Sequence, residues 1–264
     1  MKFAGFTREI RHTRRGAWVL TLLALLTLLL AACGEATNTG ARGTSASAAA
    51  PTPRPSTVYV ALGASDAVGV GASDPNMTAY VPLLIAHLPP HAFALNLGVS
   101  GYTVHEALAN ELPQAITAQP TVVTVWLVGN DFRQCTPLSD YQRDLDTLLG
   151  QLQTQTRAQV FVANAPDMSL LPAIRDGSPN LGTCLRGRSP AQIRAIVDQW
   201  NTVIDAAVEK HHQVLVDLFH SDLAAHPEYI ASDGFHPSDG GYRVLANLFW
   251  QQIAAHHAVP SASA

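Results

Sequence analysis

Charge is scarce in this chain: 16 Lys and Arg and 20 Asp and Glu make up 14% of 264 residues. Cations are scarcer still outside the first 32 residues, where 11 of them stand against 19 anions and leave about −8. Nucleic-acid affinity rests on Lys and Arg neutralising phosphates. No basic stripe is present to do so, which argues against a nucleic-acid partner. Cysteine occurs three times, and no Cys or carboxylate cluster completes a metal-ligand set with the paired histidines His211-His212 and His256-His257. Adjacent helical residues point in different directions, so these are read as surface histidines and no metal is expected. Gly69-Val70-Gly71 would belong to a dinucleotide fingerprint only if Asp74 were Gly, which removes the nucleotide-cofactor reading. No internal repeat is present, and the length excludes two large domains. What remains is 47% apolar, enough to bury a core and unlike a disordered, collagenous or coiled-coil chain.

The one long apolar run lies at the start. Residues 1–16 are cationic, and Ala17 to Ala32 form a nearly unbroken apolar stretch of 16 residues, short of the roughly 20 needed to span hydrocarbon. This is the pattern of a secretory signal. It ends in Leu30-Ala31-Ala32-Cys33-Gly34, which resembles the lipobox of bacterial lipoproteins, and the resemblance implies cleavage before Cys33 and its lipidation. The competing reading is an uncleaved signal anchor. Either places the rest of the chain outside the cytoplasm; in the lipoprotein reading Cys33 is the membrane anchor, and in the other it is incidental. From Glu35 to Ser56 the sequence is Ala, Gly, Ser, Thr and Pro with almost no large apolar side chain, so residues 33–56 are expected to form a flexible tether. In an oxidising compartment Cys135 and Cys184 are then expected to be bonded to each other, with two separate buried thiols as the alternative.

From Thr57 to Ala264 the pattern is that of one domain. Short β-branched runs at 57–62, 92–96, 121–128, 159–163 and 213–217 alternate with helical patterns at about 79–88, 104–118, 138–156, 190–211 and 239–257. Near-continuous apolar strands separated by helices predict a five-stranded parallel sheet covered on both faces, a three-layer α/β/α sandwich. In such folds ligands bind beyond the carboxyl ends of the strands.

Four stretches follow those strand ends or precede the last helix: Gly63-Ala64-Ser65-Asp66, Asn96-Leu97-Gly98-Val99-Ser100-Gly101, Val128-Gly129-Asn130-Asp131, and Asp233-Gly234-Phe235-His236-Pro237. In this order they resemble the sequence blocks of the SGNH (GDSL-type) hydrolases, across about residues 57–257. The resemblance implies a flavodoxin-like α/β fold and an esterase or lipase with Ser65 as nucleophile, His236 as base and Asp233 as its orienting acid. The oxyanion donors would be Ser65, Gly101 and Asn130. It implies no cofactor, an ester substrate (lipid acyl, O-acetyl or small ester) and a monomer. The chemistry suits these residue types: a serine hydroxyl needs an imidazole to become nucleophilic, the imidazole needs a carboxylate, and the tetrahedral intermediate needs preorganised donors.

The family's usual Gly-Asp-Ser is here Gly-Ala-Ser, with an acid displaced to Asp66. That departure motivates a competing reading as a non-catalytic, lipid-anchored binding module. A second competitor is an α/β-hydrolase, since Gly63-Ala64-Ser65-Asp66-Ala67 nearly matches the nucleophile elbow of that fold. Its elbow follows several strands, whereas Ser65 follows the first. The loop at about 164–190, with Asn164, Pro166 and Asp167, is expected to shape the substrate pocket.

Overall fold

The computed structural model describes residues 55–259. The leader, Cys33 and most of the expected tether lie outside the described residues, as does the end of the domain beyond 259. The described chain runs β1 (Val58–Gly63), α1 (Ser65–Val68), α2 (Tyr80–Ile85), β2 (Phe93–Asn96), α3 (Val104–Asn110), α4 (Leu112–Ala118), β3 (Val122–Trp126), α5 (Gly129–Gln134), α6 (Leu138–Gln155), β4 (Gln159–Ala163), α7 (Pro172–Arg175), α8 (Pro190–Lys210), β5 (Val214–Val216) and α9 (Asp239–Ala255). The strands form one parallel sheet in the order β2-β1-β3-β4-β5. All five expected strands are present, and the three-layer α/β/α sandwich is the observed fold.

Every residue of β1 and of β3 is buried, as their unbroken apolar composition requires of central parallel strands. β2 at the sheet edge has its two end residues exposed, Phe93 to 48%. One face is sealed by α2 and α9, where Tyr80 stacks on Phe249 at 5.6 Å and on Tyr242 at 6.5 Å between ring centroids. On the other face α3, α6 and α8 pack in a row, and Trp200 of α8 meets Phe132 at 5.7 Å and Tyr141 at 4.7 Å. Among the described residues no helix is long and apolar enough to cross a membrane.

Two expectations need correction. The helix read over 104–118 is two helices, α3 and α4, divided at Glu111. Pro113 has no N–H to give the carbonyl of Ala109, so the ladder is broken there. Secondly, His211 is not a surface residue: it is 9% exposed, its ring bonded to Asp146 Oδ1 at 2.8 Å and Gln153 Oε1 at 3.2 Å. The bend that ends α8 turns this ring down against Gly150 of α6. His212, His256 and His257 are exposed as expected, and no group of three potential metal ligands occurs among the described residues.

Candidate active site

The sheet order puts β2, β1 and β3 side by side, so the segments that follow them converge at one end of the sheet. Ser65 begins α1 directly after β1, Gly101 follows β2, and Asn130 lies in the first turn of α5 after β3. Ser65 and Asn130 are largely buried, 8% and 7% exposed. The segment carrying His236 comes from the far end of the chain. It is anchored by the Ile230–Pro237 bridge and by the Ala231 N–H donating to the His236 carbonyl at 2.8 Å. Tyr242 of α9 donates its hydroxyl to the Val70 carbonyl at 2.6 Å, which draws the loop after the nucleophile against the same segment.

These anchors bring Ser65, His236 and Asp233 together. His236 Nε2 lies 2.8 Å from Ser65 Oγ, and Nδ1 lies 2.5 Å from Asp233 Oδ2. The other carboxylate oxygen, Oδ1, accepts the backbone N–H groups of Phe235 at 2.9 Å and His236 at 3.0 Å. A carboxylate can only accept when ionised, so Nδ1 carries a proton toward Asp233 and Nε2 is left to accept from the serine. Burial pushes the Asp233 carboxyl upward, but the His236 ring, the two backbone N–H groups and the imidazolium charge outweigh it and hold it below its usual value. Asp233 therefore stays ionised.

The donors face the same cleft. Gly101 has φ +89°, in the left-handed region, and a Cβ there would meet nothing within 4 Å; glycine is needed for the backbone conformation, not for space. Asn130 donates one Nδ2 hydrogen to the Tyr102 carbonyl at 2.9 Å. The N–H groups of Ser65 and Gly101 find no protein acceptor among the described residues. The cleft, about 360 Å³, is lined by Ser65, Gly101, Asn130 and His236 together with Arg133 and Leu181.

Ala64 replaces an acid without breaking this arrangement. It is buried, 5% exposed, and Asp66 points instead toward a small apolar cavity of about 30 Å³ walled by Trp126, Met168, Leu171, Leu223 and Phe235. Burial there raises the Asp66 carboxyl to about 6, the charge of His236 lowering it and that of Asp233 raising it.

Several supporting residues escaped the sequence reading. Asn96, at the end of β2, donates Nδ2 to the Ala67 carbonyl at 2.7 Å and accepts the Gly98 N–H at 3.1 Å, tying α1 to the glycine segment. Asp131 accepts the N–H of Val104 at 2.9 Å and so holds the start of α3. Arg133 reaches Asn130 Oδ1 and the Asn180 carbonyl, each at 3.2 Å. Only the i, i+3 spacing of Asn130 and Arg133, which places both on one side of a helix, could have pointed to that pairing.

Cys135 and Cys184 are bonded to each other, as expected from their number. The bond ties the segment after α5 to the loop whose Ser178, Asn180 and Leu181 line the cleft. Of the loop residues singled out in the sequence, Asn164 and Asp167 are engaged elsewhere. Asn164 bonds Asp217, and Asp167 pairs with Arg194. Pro166 lines the apolar cavity.

The family model of the GDSL-like Lipase/Acylhydrolase family matches residues 61–244. Solved structures share the fold. TesA superposes with a TM-score of 0.60 at 20% identity, over 75% of this chain and 99% of that one. The psychrotrophic esterase EstA from Pseudoalteromonas sp. gives 0.58 at 18%, over 76% and 98%. The acetylxylan esterase Axe2 from Geobacillus stearothermophilus gives 0.58 at 19%, over 78% and 97%. No curated protein matches the chain in sequence.

Proposed function

Because the chain belongs to the GDSL-like Lipase/Acylhydrolase family and is accordingly an esterase or acylhydrolase, we propose that it cleaves carboxylic esters through a covalent acyl-enzyme on Ser65. The observation that carries this reading is the unbroken chain Asp233 Oδ2, His236 Nδ1, His236 Nε2, Ser65 Oγ, with links of 2.5 and 2.8 Å. His236 takes the Ser65 proton as Oγ bonds to the ester carbonyl carbon. The carbonyl electron pair moves onto oxygen, and the resulting oxyanion is held by the N–H groups of Ser65 and Gly101 and by the Asn130 amide. Collapse breaks the bond to the alkoxy oxygen, and the leaving alcohol takes the proton from His236. Water then gives a proton to His236 as its oxygen attacks the acyl carbon. The second tetrahedral adduct collapses to a carboxylic acid, and the proton returns to Ser65. Asp233 stabilises the imidazolium in both halves of the cycle and stays ionised throughout.

The same proposal places the enzyme outside the cytoplasm, as a monomer held to a membrane by lipid on Cys33. Its support is the cationic and apolar leader, the Leu30-Ala31-Ala32-Cys33 junction, and a Cys135–Cys184 disulfide of the kind that persists in oxidising compartments. A cleft of about 360 Å³ that mixes Ser178 and Asn180 with Leu181 and Phe235 suits small esters, including O-acetyl groups, better than long acyl chains. Turnover of p-nitrophenyl esters of graded chain length tests substrate class, and a fluorophosphonate tests the nucleophile. Labelling is expected at Ser65 and abolished, with hydrolysis, in Ser65→Ala at nearly unchanged melting temperature. Retained esterase activity in that variant would move the chemistry elsewhere. Mass spectrometry of membrane-purified protein should find Cys33 as the acylated N-terminal residue, and an intact Met1 would sink the anchor.

A further inference from the structure

An oxyanion donor made from a side-chain amide has a weakness that a backbone N–H lacks. Half a turn about its last torsion exchanges N and O, which are nearly equal in size, and would present an acceptor to a developing negative charge. Asn130 is guarded against this on both sides. Its Nδ2 donates to the Tyr102 carbonyl at 2.9 Å, and its Oδ1 accepts from Arg133 Nη2 at 3.2 Å. A carbonyl can only accept and a guanidinium can only donate, so the turned amide would set oxygen against oxygen and N–H against N–H. The observed orientation is the only one that satisfies both partners, and it leaves the second Nδ2 hydrogen for the cleft.

We propose that Arg133 is a positioning residue of the oxyanion hole, fixing the Asn130 amide with its N–H toward the reacting carbonyl and strengthening that N–H as a donor. The second effect follows from polarisation: a cation bonded to Oδ1 draws electron density from the amide nitrogen, as in other linked hydrogen bonds. Arg133 forms no ion pair among the described residues. Its own pose is set by the loop that walls the cleft. Nη1 donates to the Asn180 carbonyl at 3.2 Å, the Gly182 N–H donates to the Arg133 carbonyl at 2.8 Å, and two residues on, Cys135 is bonded to Cys184. The disulfide-tethered loop thereby reaches the oxyanion donor through one guanidinium fork. A lysine offers one ammonium nitrogen in place of the rigid planar fork whose two Nη atoms each reach one acceptor.

This inference rests on Asn130 being an oxyanion donor, and the test separates the two claims. kcat, KM and melting temperature are measured on a short p-nitrophenyl ester for the wild type, Asn130→Ala, Arg133→Ala, Arg133→Lys and the double variant Asn130→Ala/Arg133→Ala. Losing an oxyanion donor outright costs about 10²- to 10³-fold in kcat, and losing its alignment is expected to cost a part of that, roughly 10-fold, with KM within about 2-fold. Arg133→Lys should recover part of the loss. In the Asn130→Ala background, removing Arg133 should cost nothing further, because the group it positions is gone. Wild-type kcat in Arg133→Ala overturns the proposal, and so do losses that multiply in the double variant, which would mean that Arg133 acts on the substrate directly. Should Arg133→Ala fail to fold, Arg133→Lys alone and with Asn130→Ala supplies the same comparison. Unchanged kcat in Asn130→Ala would instead refute the donor role on which the proposal stands.

Discussion

The backbone N–H of Gly63 donates to Glu111 Oε2 at 3.0 Å, two residues before the nucleophile, while the other oxygen of that carboxyl is buried without a partner. Glu111 is 1% exposed, and burial lifts its carboxyl from 4.5 to about 8, the Gly63 bond pulling the other way. The folded protein thus holds Glu111 as the neutral acid at pH 7, a compact pin under the end of β1.

A pH dependence of stability follows. The folded state binds this proton more tightly than the unfolded one, so the contribution is fully present below about pH 4.5 and is lost as the pH rises through about 8. Asp66 and Asp131, each raised to about 6 by burial, act in the same direction. Glu111→Gln keeps the shape and the acceptor and removes the titration. Melting temperature measured from pH 5 to 9 should fall more steeply in the wild type than in Glu111→Gln, and parallel curves would show that Glu111 ionises freely in the fold.

Asp66 bears on rate as well as on stability. Its carboxyl shares the charge environment of His236 and Asp233, so the ionised form favours the imidazolium that develops when Ser65 is deprotonated. Asp66→Asn is expected to lower kcat by roughly 5- to 10-fold, the order of one charge pair in a medium of intermediate dielectric, and to remove a step near pH 6 from the pH–rate profile. An unchanged profile would mean that Asp66 serves only as a wall of the apolar cavity.

The Cys135–Cys184 bond closes a loop with a sequence separation of 49. A cross-link of this span adds about 2 to 4 kcal/mol, largely by restricting the unfolded chain. Thiol titration of denatured, non-reduced domain lacking Cys33 should find no free thiol, and the Cys135→Ser/Cys184→Ser variant should melt several degrees lower. Two reactive thiols in the unreduced protein would refute the bond.

The strands were legible because a central parallel strand must be apolar on both sides, and Val122 to Trp126 can be little else. The site was legible in part, and the reason is visible in a near copy. Asp217-Leu218-Phe219-His220 forms the same local turn as Asp233-Gly234-Phe235-His236. Asp217 Oδ1 accepts the N–H groups of residues 219 and 220, and Oδ2 lies 2.7 Å from His220 Nδ1. Yet the His220 side chain is 76% exposed, with no serine hydroxyl on its ring among the described residues. The motif alone specifies a carboxylate–imidazole pair; the strand order decides which pair meets a nucleophile. Arg133 was illegible for a related reason, since one of its partners, Asn180, lies 47 residues away in a loop without periodic pattern. The break at Glu111 is signalled in the sequence only by Pro113, because the apolar spacing continues across it.

Gly101 allows the backbone part of the oxyanion hole to be tested with a matched control. Alanine at φ +89° is strained, but its Cβ would meet no atom within 4 Å, and Gly187 has the same two properties at φ +72°. Gly187 does not line the cleft. Placing a non-glycine residue in the left-handed region costs about 1 to 2 kcal/mol, so Gly101→Ala and Gly187→Ala should lose similar amounts of stability. Their rates should differ. If the Gly101 N–H receives the oxyanion, relaxation of the strained alanine turns that N–H away from the reacting carbonyl. The loss is then felt in the transition state more than in the bound ester, lowering kcat with KM nearly constant. Gly187→Ala should keep the wild-type kcat in its folded fraction. Equal kcat in the two variants, at equal melting temperature, would take Gly101 out of the oxyanion hole and leave its glycine as a requirement of the turn alone.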